Sequence, residues 1–200
     1  MAHLDKNLPL EYQSHEDRMT ILGFWIFLGA EIALFSTLFA TYLVLETHTA
    51  GGPSGFDLFE APSVIIMTLL LLTSSFTCGI AIWYMRRENK KGLIGWLIVT
   101  LLLGAGFLYM EVSEFAHYIE HGATMQTSAF LSAFFVLTGT HGFHVTMGIG
   151  WATLLIIQLA RNGLNHTTAR KVFVIGLYWH FLDVVWIFLF TLVYVKGMVG

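Results

Sequence analysis

Charge is scarce in this sequence. Only 12% of its 200 residues are Asp, Glu, Lys or Arg, while 56% are hydrophobic, and that balance excludes an ordinary soluble domain. Cysteine is scarcer still. Cys78 is the only one, which excludes an intrachain disulfide, a thiolate cluster and covalent attachment of a c-type haem. Walker loops, dinucleotide fingerprints and nucleophile elbows are all missing. A net charge of -3, without a basic helix or a zinc pattern, argues against nucleic acid as a partner.

Long apolar runs are what the chain does have. They cover residues 23–45, 62–85, 93–118, 128–159 and 172–195. Each reaches the ~20 residues that span ~30 Å of hydrocarbon at ~1.5 Å per residue. A segment in lipid must satisfy its own backbone hydrogen bonds, so the runs read as helices. Continuous rather than alternating hydrophobicity excludes a β-barrel. The fold class is therefore all-α: a polytopic, five-transmembrane-helix bundle. Residues 1–20 form a polar tail without a cleavable signal pattern, so the first run is expected to remain as a signal anchor. Residues 21–198 read as one domain. Gly51, Gly52, Pro53 and Asp57 turn the chain after the first run. The fourth run is long enough to tilt or to outreach the lipid.

Basic residues are distributed on one side. Lys6 and Arg18 precede the first run, Arg86, Arg87, Lys90 and Lys91 follow the second, and Arg161, Arg170 and Lys171 follow the fourth. Only Lys196 falls on the opposite face. The positive-inside rule then puts the N-terminus in the cytoplasm and the C-terminus on the extracytoplasmic side.

Four carboxylates lie within the apolar runs: Glu31, Glu111, Glu114 and Asp183. Charge is costly at that depth, so they should face protein or water. Glu31 reads either as a proton-uptake residue or as a neutral acid locking two helices together. Glu111, Glu114 and His117 recur at three-residue steps and form a polar stripe suited to an ion, structured water or interhelical pairing. Glu114 and His117 make one Glu-x-x-His pair, but a di-metal site needs a second. His141 and His144 on the fourth run, with His180 on the fifth, could in principle ligate a haem from two sides. A hydrogen bond from a fourth-helix His to Asp183 explains the same residues, and His180 could instead pair with Glu111 or Glu114. Gly104, Gly106, Gly139, Gly142, Gly148 and Gly150 mark places for close helix approach. With no internal repeat in evidence, a self-contained transporter is disfavoured.

Several stretches, in order, carry a resemblance over residues 20–195. They are Gly23-Phe24-Trp25-Ile26-Phe27-Leu28 leading to Glu31, Met110-Glu111 with Glu114-Phe115, Gly139-Thr140-His141-Gly142-Phe143-His144-Val145, and Tyr178-Trp179-His180-Phe181-Leu182-Asp183-Val184-Val185-Trp186. The chain resembles subunit III of the haem-copper terminal oxidases, in the five-helix form of bacterial quinol oxidases, closest to the menaquinol-oxidising branch. The resemblance implies a non-catalytic subunit of a proton-pumping quinol oxidase in the bacterial cytoplasmic membrane. It implies no catalytic, cofactor-binding or metal-binding residue on this chain, with haem and copper in subunit I. Direct contact with subunit I, company of subunits II and IV, and bound phospholipid follow from the same likeness. The family's conserved glutamate falls on Glu31 as the proton-uptake candidate. Its helix-packing polar residues fall on His141, His144, His180 and Asp183, beside the Glu111, Glu114 and His117 stripe. The seven-helix members have two further N-terminal helices and a lipid-filled cleft, and this chain is expected to lack both helices. The competing readings are a small ion transporter, a haem-binding membrane cytochrome b, or an assembly factor that leaves the finished complex.

The orientation is directly testable. A single Cys introduced for Glu88 should resist a membrane-impermeant thiol reagent in sealed right-side-out vesicles and react once they are opened. Labelling from outside before opening would overturn the assigned topology.

Overall fold

The computed structural model describes residues 8–199. Lys6 and the first seven residues of the expected tail lie outside them. A short 3-10 turn, Leu10–Tyr12, precedes α1 (His15–Leu45). Then come the one-turn α2 (Gly55–Leu58), α3 (Ala61–Arg86), α4 (Lys90–Glu120), α5 (Ala129–Asn162) and α6 (His166–Leu189). The last helix continues as a π-helical turn, Phe190–Val195, into α7 (Lys196–Val199). Five helices are long and apolar enough to cross a membrane, and no strand occurs among the described residues.

Three helices, α1, α4 and α6, begin earlier than their apolar runs because polar caps set their starts. Ser14 and Asp17 form a capping box that opens α1 eight residues before Gly23. Asn165 and Thr168 form another that opens α6 before Val172. Each box satisfies donors that the first helical turn leaves free. With 34 residues, α5 is ~51 Å long at ~1.5 Å per residue and outreaches the hydrocarbon.

Two aromatic anchors hold the bundle centre. Trp186 of α6 is fully buried, meets Phe107 of α4 edge-on at 4.7 Å, and donates its indole N–H to Thr68 of α3 at 3.0 Å. One layer nearer the basic end, Trp179 donates to Ser74 at 3.0 Å. Its ring wedges against Gly104 and Gly148, where a Cβ would come within 2.7 and 3.2 Å of it. Gly104 and Gly148 are thus real close approaches. Gly106 and Gly139 have ordinary clearance, and Gly150 faces open space. By contrast α1 is peripheral: it packs on α5 and α6 and leaves Trp25, Ile26, Ile32 and Val44 exposed on its other side.

At one end of the bundle, Arg86, Arg87, Lys90, Lys91, Arg161, Arg170 and Lys171 meet the start of α1. The segment before α1 folds across this end and brings acids to it. Glu11, fully buried, accepts from Arg86 Nε and Nη2 at 3.0 and 2.8 Å. Asp17, also fully buried, pairs with Arg170 at 2.9 Å, with His166 at 3.4 Å alongside. Breaking a buried pair by removing one member leaves a charge uncompensated, at a cost of about 3–5 kcal/mol. Arg170→Ala should therefore lower the midpoint of detergent unfolding clearly, whereas Arg18→Ala, at an exposed position, should not. Equal midpoints would show that Asp17 is not stabilised by Arg170.

Candidate functional site: the intramembrane polar pairs

The carboxylates and histidines of the spans sort into three separate groups. The first joins α1 to α5. His144 Nε2 lies 3.1 Å from Glu31 Oε2, and His144 Nδ1 lies 2.7 Å from the Thr140 carbonyl oxygen. A carbonyl only accepts, so Nδ1 carries a proton. With a neutral ring, Nε2 is then an acceptor and Glu31 must donate its carboxyl proton to it. With a second proton on the ring, Nε2 donates and Glu31 is a carboxylate. Both arrangements are electrically neutral as a pair. A proton can therefore pass between Glu31 and His144 without changing the charge held in the bilayer. Both side chains are mostly buried, and the Tyr178 hydroxyl donates to the His144 carbonyl oxygen at 3.0 Å.

Beside that pair runs a groove of about 750 Å³ between α1 and α6. Its walls include Trp25, Leu28, Gly29, Phe35, Phe181 and Phe188, so it is almost entirely apolar.

The second group lies between α4, α5 and the end of α6. Glu111 is nearly inaccessible and its carboxylate rests directly on Gly142, with Oε1 free of any hydrogen-bond partner. Glu114 accepts from the Tyr194 hydroxyl at 3.3 Å. Tyr194 sits on the π-helical turn, the wide geometry that often marks a functional position. His117 is exposed, and its ring lies 4.3 Å from that of His121 with the planes tilted by 48°. It shares a cleft of about 270 Å³ with Glu114, Glu60, Ser63 and Tyr118. No cluster of three or more His, Cys, Asp or Glu suited to a metal ion occurs among the described residues.

His141 belongs to the core. Its Nε2 donates to the Leu182 carbonyl oxygen at 3.2 Å, and its ring packs between Phe107 and Trp186. The third group joins α3 to α6, where Ser75 Oγ lies 2.7 Å from His180 Nδ1 and Asp183 stands beside both.

These contacts correct the expected pairing of a fourth-helix His with Asp183. His141 takes the carbonyl of Leu182 and His144 takes Glu31. One residue is ~100° of helix rotation, so Leu182 faces the interior while Asp183 faces α3. His180 likewise meets Ser75 rather than Glu111 or Glu114. The three histidines point to three different partners and do not converge.

The family model described as Cytochrome c oxidase subunit III matches residues 14–198. The chain belongs to that family. Among relatives, a Bacillus subtilis protein named "Quinol oxidase subunit 3" is 61% identical over 99% of this chain and 97% of its own length. A Staphylococcus haemolyticus protein named "Probable quinol oxidase subunit 3" is 53% identical over 100% of this chain and 98% of its own. As a member of the subunit III family with five membrane-crossing helices, the protein is a multi-pass component of the bacterial cell membrane. The transporter and cytochrome b readings find no support in this match.

Sequence reasoning missed two features of the subunit III bundle. One is the hydroxyl row on α3: Thr68, Ser74, Ser75 and Thr77 bond Trp186, Trp179, His180 and Thr100 in turn. Its signal was partial: Trp179 and Trp186 are seven residues apart and their partners Ser74 and Thr68 six, close to two turns in each case. The other is the buried acids Glu11 and Asp17, which look like ordinary tail residues.

The contact between Glu111 and Gly142 gives a sharp test. A Cβ at 142 would run into the Glu111 carboxylate, whereas one at 150 meets nothing within 4 Å. Overpacking of this kind costs about 1–3 kcal/mol. Gly142→Ala should unfold earlier in detergent than wild type and Gly150→Ala should not. Matched melting of the two variants would mean that Glu111 is not seated on α5.

Proposed function

We propose that this chain is the non-catalytic subunit III of a quinol oxidase, which oxidises quinol, reduces oxygen to water and moves protons outward. The observation that carries the reading is similarity over 99–100% of the chain to proteins named as quinol oxidase subunit 3. Haem and copper belong to subunit I, which this chain contacts directly, with subunits II and IV in the same complex. The basic end of the bundle faces the cytoplasm, and phospholipid fills the groove between α1 and α6. The subunit supports assembly, and the Glu31–His144 pair assists proton uptake by the catalytic subunit. Supporting that last step is the neutrality of the pair, which lets a proton change hands at low cost in a medium where an isolated charge is expensive.

Glu31→Gln tests the role of the pair. The amide keeps the size and a hydrogen bond to His144 but has no proton to give up. The variant oxidase should assemble with normal subunit ratios. Its proton uptake should slow, or its activity decay faster during turnover, by less than about tenfold, a barrier change of about 1.4 kcal/mol or less. Identical uptake and inactivation across the range where histidine titrates would leave Glu31 as a helix-pairing residue only.

A further inference from the structure

Glu111 and Glu114 stand nearly one turn apart on α4, which puts their Cβ atoms about 5–6 Å from each other. Both lie within electrostatic reach of the Tyr194 hydroxyl. Their surroundings differ. Glu111 is 1% exposed, rests on Gly142 and has no hydrogen-bond partner at Oε1. Glu114 receives the Tyr194 hydroxyl, with those of Tyr118 and Ser63 beside it, and forms part of the wall of the 270 Å³ cleft. That cleft leads to two exposed groups, Glu60 at the start of α3 and His117 on α4. No Lys or Arg answers the two acids. Lys196, just past Tyr194, is taken by Glu46, and His141 beside Gly142 turns its Nε2 to the Leu182 carbonyl.

Two neighbouring carboxyls in a dry interior cannot both be ionised without a counter-charge. Their environments divide the roles. Hydroxyl donors favour a carboxylate, so Glu114 suits the charged form. Glu111 is offered no such donor, and a charge there would be buried and bare, so it suits the neutral acid. A metal ion in place of the proton would need several further oxygens converging on the pair. Glu111 lies against the Gly142 backbone instead, and no three His, Cys, Asp or Glu gather for a metal among the described residues. The ligand that fits is a proton.

We propose that Glu111 and Glu114 form a proton-binding site, in which Glu111 stores the proton and Glu114 exchanges it with the cleft of Glu60 and His117. On release, the proton leaves the Glu111 carboxyl for the Glu114 carboxylate, directly or through one water. It then passes to Glu60, His117 or water in the cleft, and the pair is left with one more negative charge. Uptake reverses both steps. The site is separate from the Glu31–His144 pair, since positions 142 and 144 are ~200° apart around α5. Only its purpose rests on the reading of the chain as an oxidase subunit. In the orientation proposed above, the cleft opens on the side where protons leave the enzyme, and the pair buffers them there.

The test uses the assembled wild-type and variant oxidases, held on an infrared crystal and perfused with buffer. The carboxylic-acid C=O stretch is recorded in ordinary water and again after a switch to heavy water. Wild type should show an acid band that Glu111→Gln lacks and Glu111→Asp displaces. Glu114→Gln should keep that band but slow its deuterium shift at least about tenfold, because the amide cannot relay a proton to the cleft. Exchanging sodium for potassium in the buffer should leave the band as it is. A wild-type acid band untouched by Glu111→Gln would overturn the proposal. So would equal deuterium exchange in wild type and Glu114→Gln, or a band that vanishes in sodium alone, which would make the pair a cation site. Should Glu111→Gln fail to assemble, Glu111→Asp decides by whether the band moves. A subunit that purifies without other oxidase subunits would sink the parent reading, while the band measured on it would still decide this one.

Discussion

A polar side chain inside a bilayer has no solvent to return to, and the whole arrangement of this subunit depends on that. Each hydroxyl, indole, imidazole and carboxyl within the spans must find a partner on another helix, bond its own helix's backbone, or be sealed away. The bundle answers with directional contacts between elements far apart in sequence. Trp186 reaches Thr68, Trp179 reaches Ser74, His141 reaches the carbonyl of Leu182, and His144 reaches Glu31. Apolar packing alone cannot fix helix rotation in lipid, because a lipid tail is as agreeable a neighbour as Leu. These hydrogen bonds set the rotation. The glycines then allow the approach: Trp179 fits only because positions 104 and 148 carry no side chain.

The intramembrane groups divide by how they handle charge. Glu31 and His144 meet each other at 3.1 Å across α1 and α5. Glu111 is closed off against Gly142, and Glu114 takes the phenol of Tyr194. The ends of the bundle work differently. There, full charges meet in ion pairs: Glu11 with Arg86, Asp17 with Arg170, and Lys196 with Glu46 at the opposite end. The same residue types thus serve as neutral couplings in the middle and as charged latches at the rims.

The number of spans and the intramembrane candidates were legible in the sequence, because twenty-residue apolar runs leave few choices and an acid inside one is conspicuous. Helix starts were less legible. Ser14 and Asn165 begin helices inside polar sequence, which a hydropathy reading leaves to the tail and the connection. Pairing was least legible. Asp183 and Leu182 are neighbours in the chain but a third of a turn apart in direction, and nothing local says which one faces His141. The same ambiguity hid Ser75 and Thr68, whose value comes from what α6 presents to them. Glu11 and Asp17 were hidden for another reason, since a polar tail gives no sign that it will fold back under a bundle.

The peripheral place of α1 has a consequence for how the molecule is made. Its partner helices α5 and α6 are the last to be synthesised, and Glu31 is separated from His144 by 113 residues. At about 5–20 residues per second, the ribosome takes roughly 6–23 s to supply that imidazole. Throughout that interval α1 is a finished helix with an unpaired acid and no neighbour to pack on. Its packing partners exist only once α5 and α6 have been made. Of the five long helices, α1 is thus made before its partners and docks only after them.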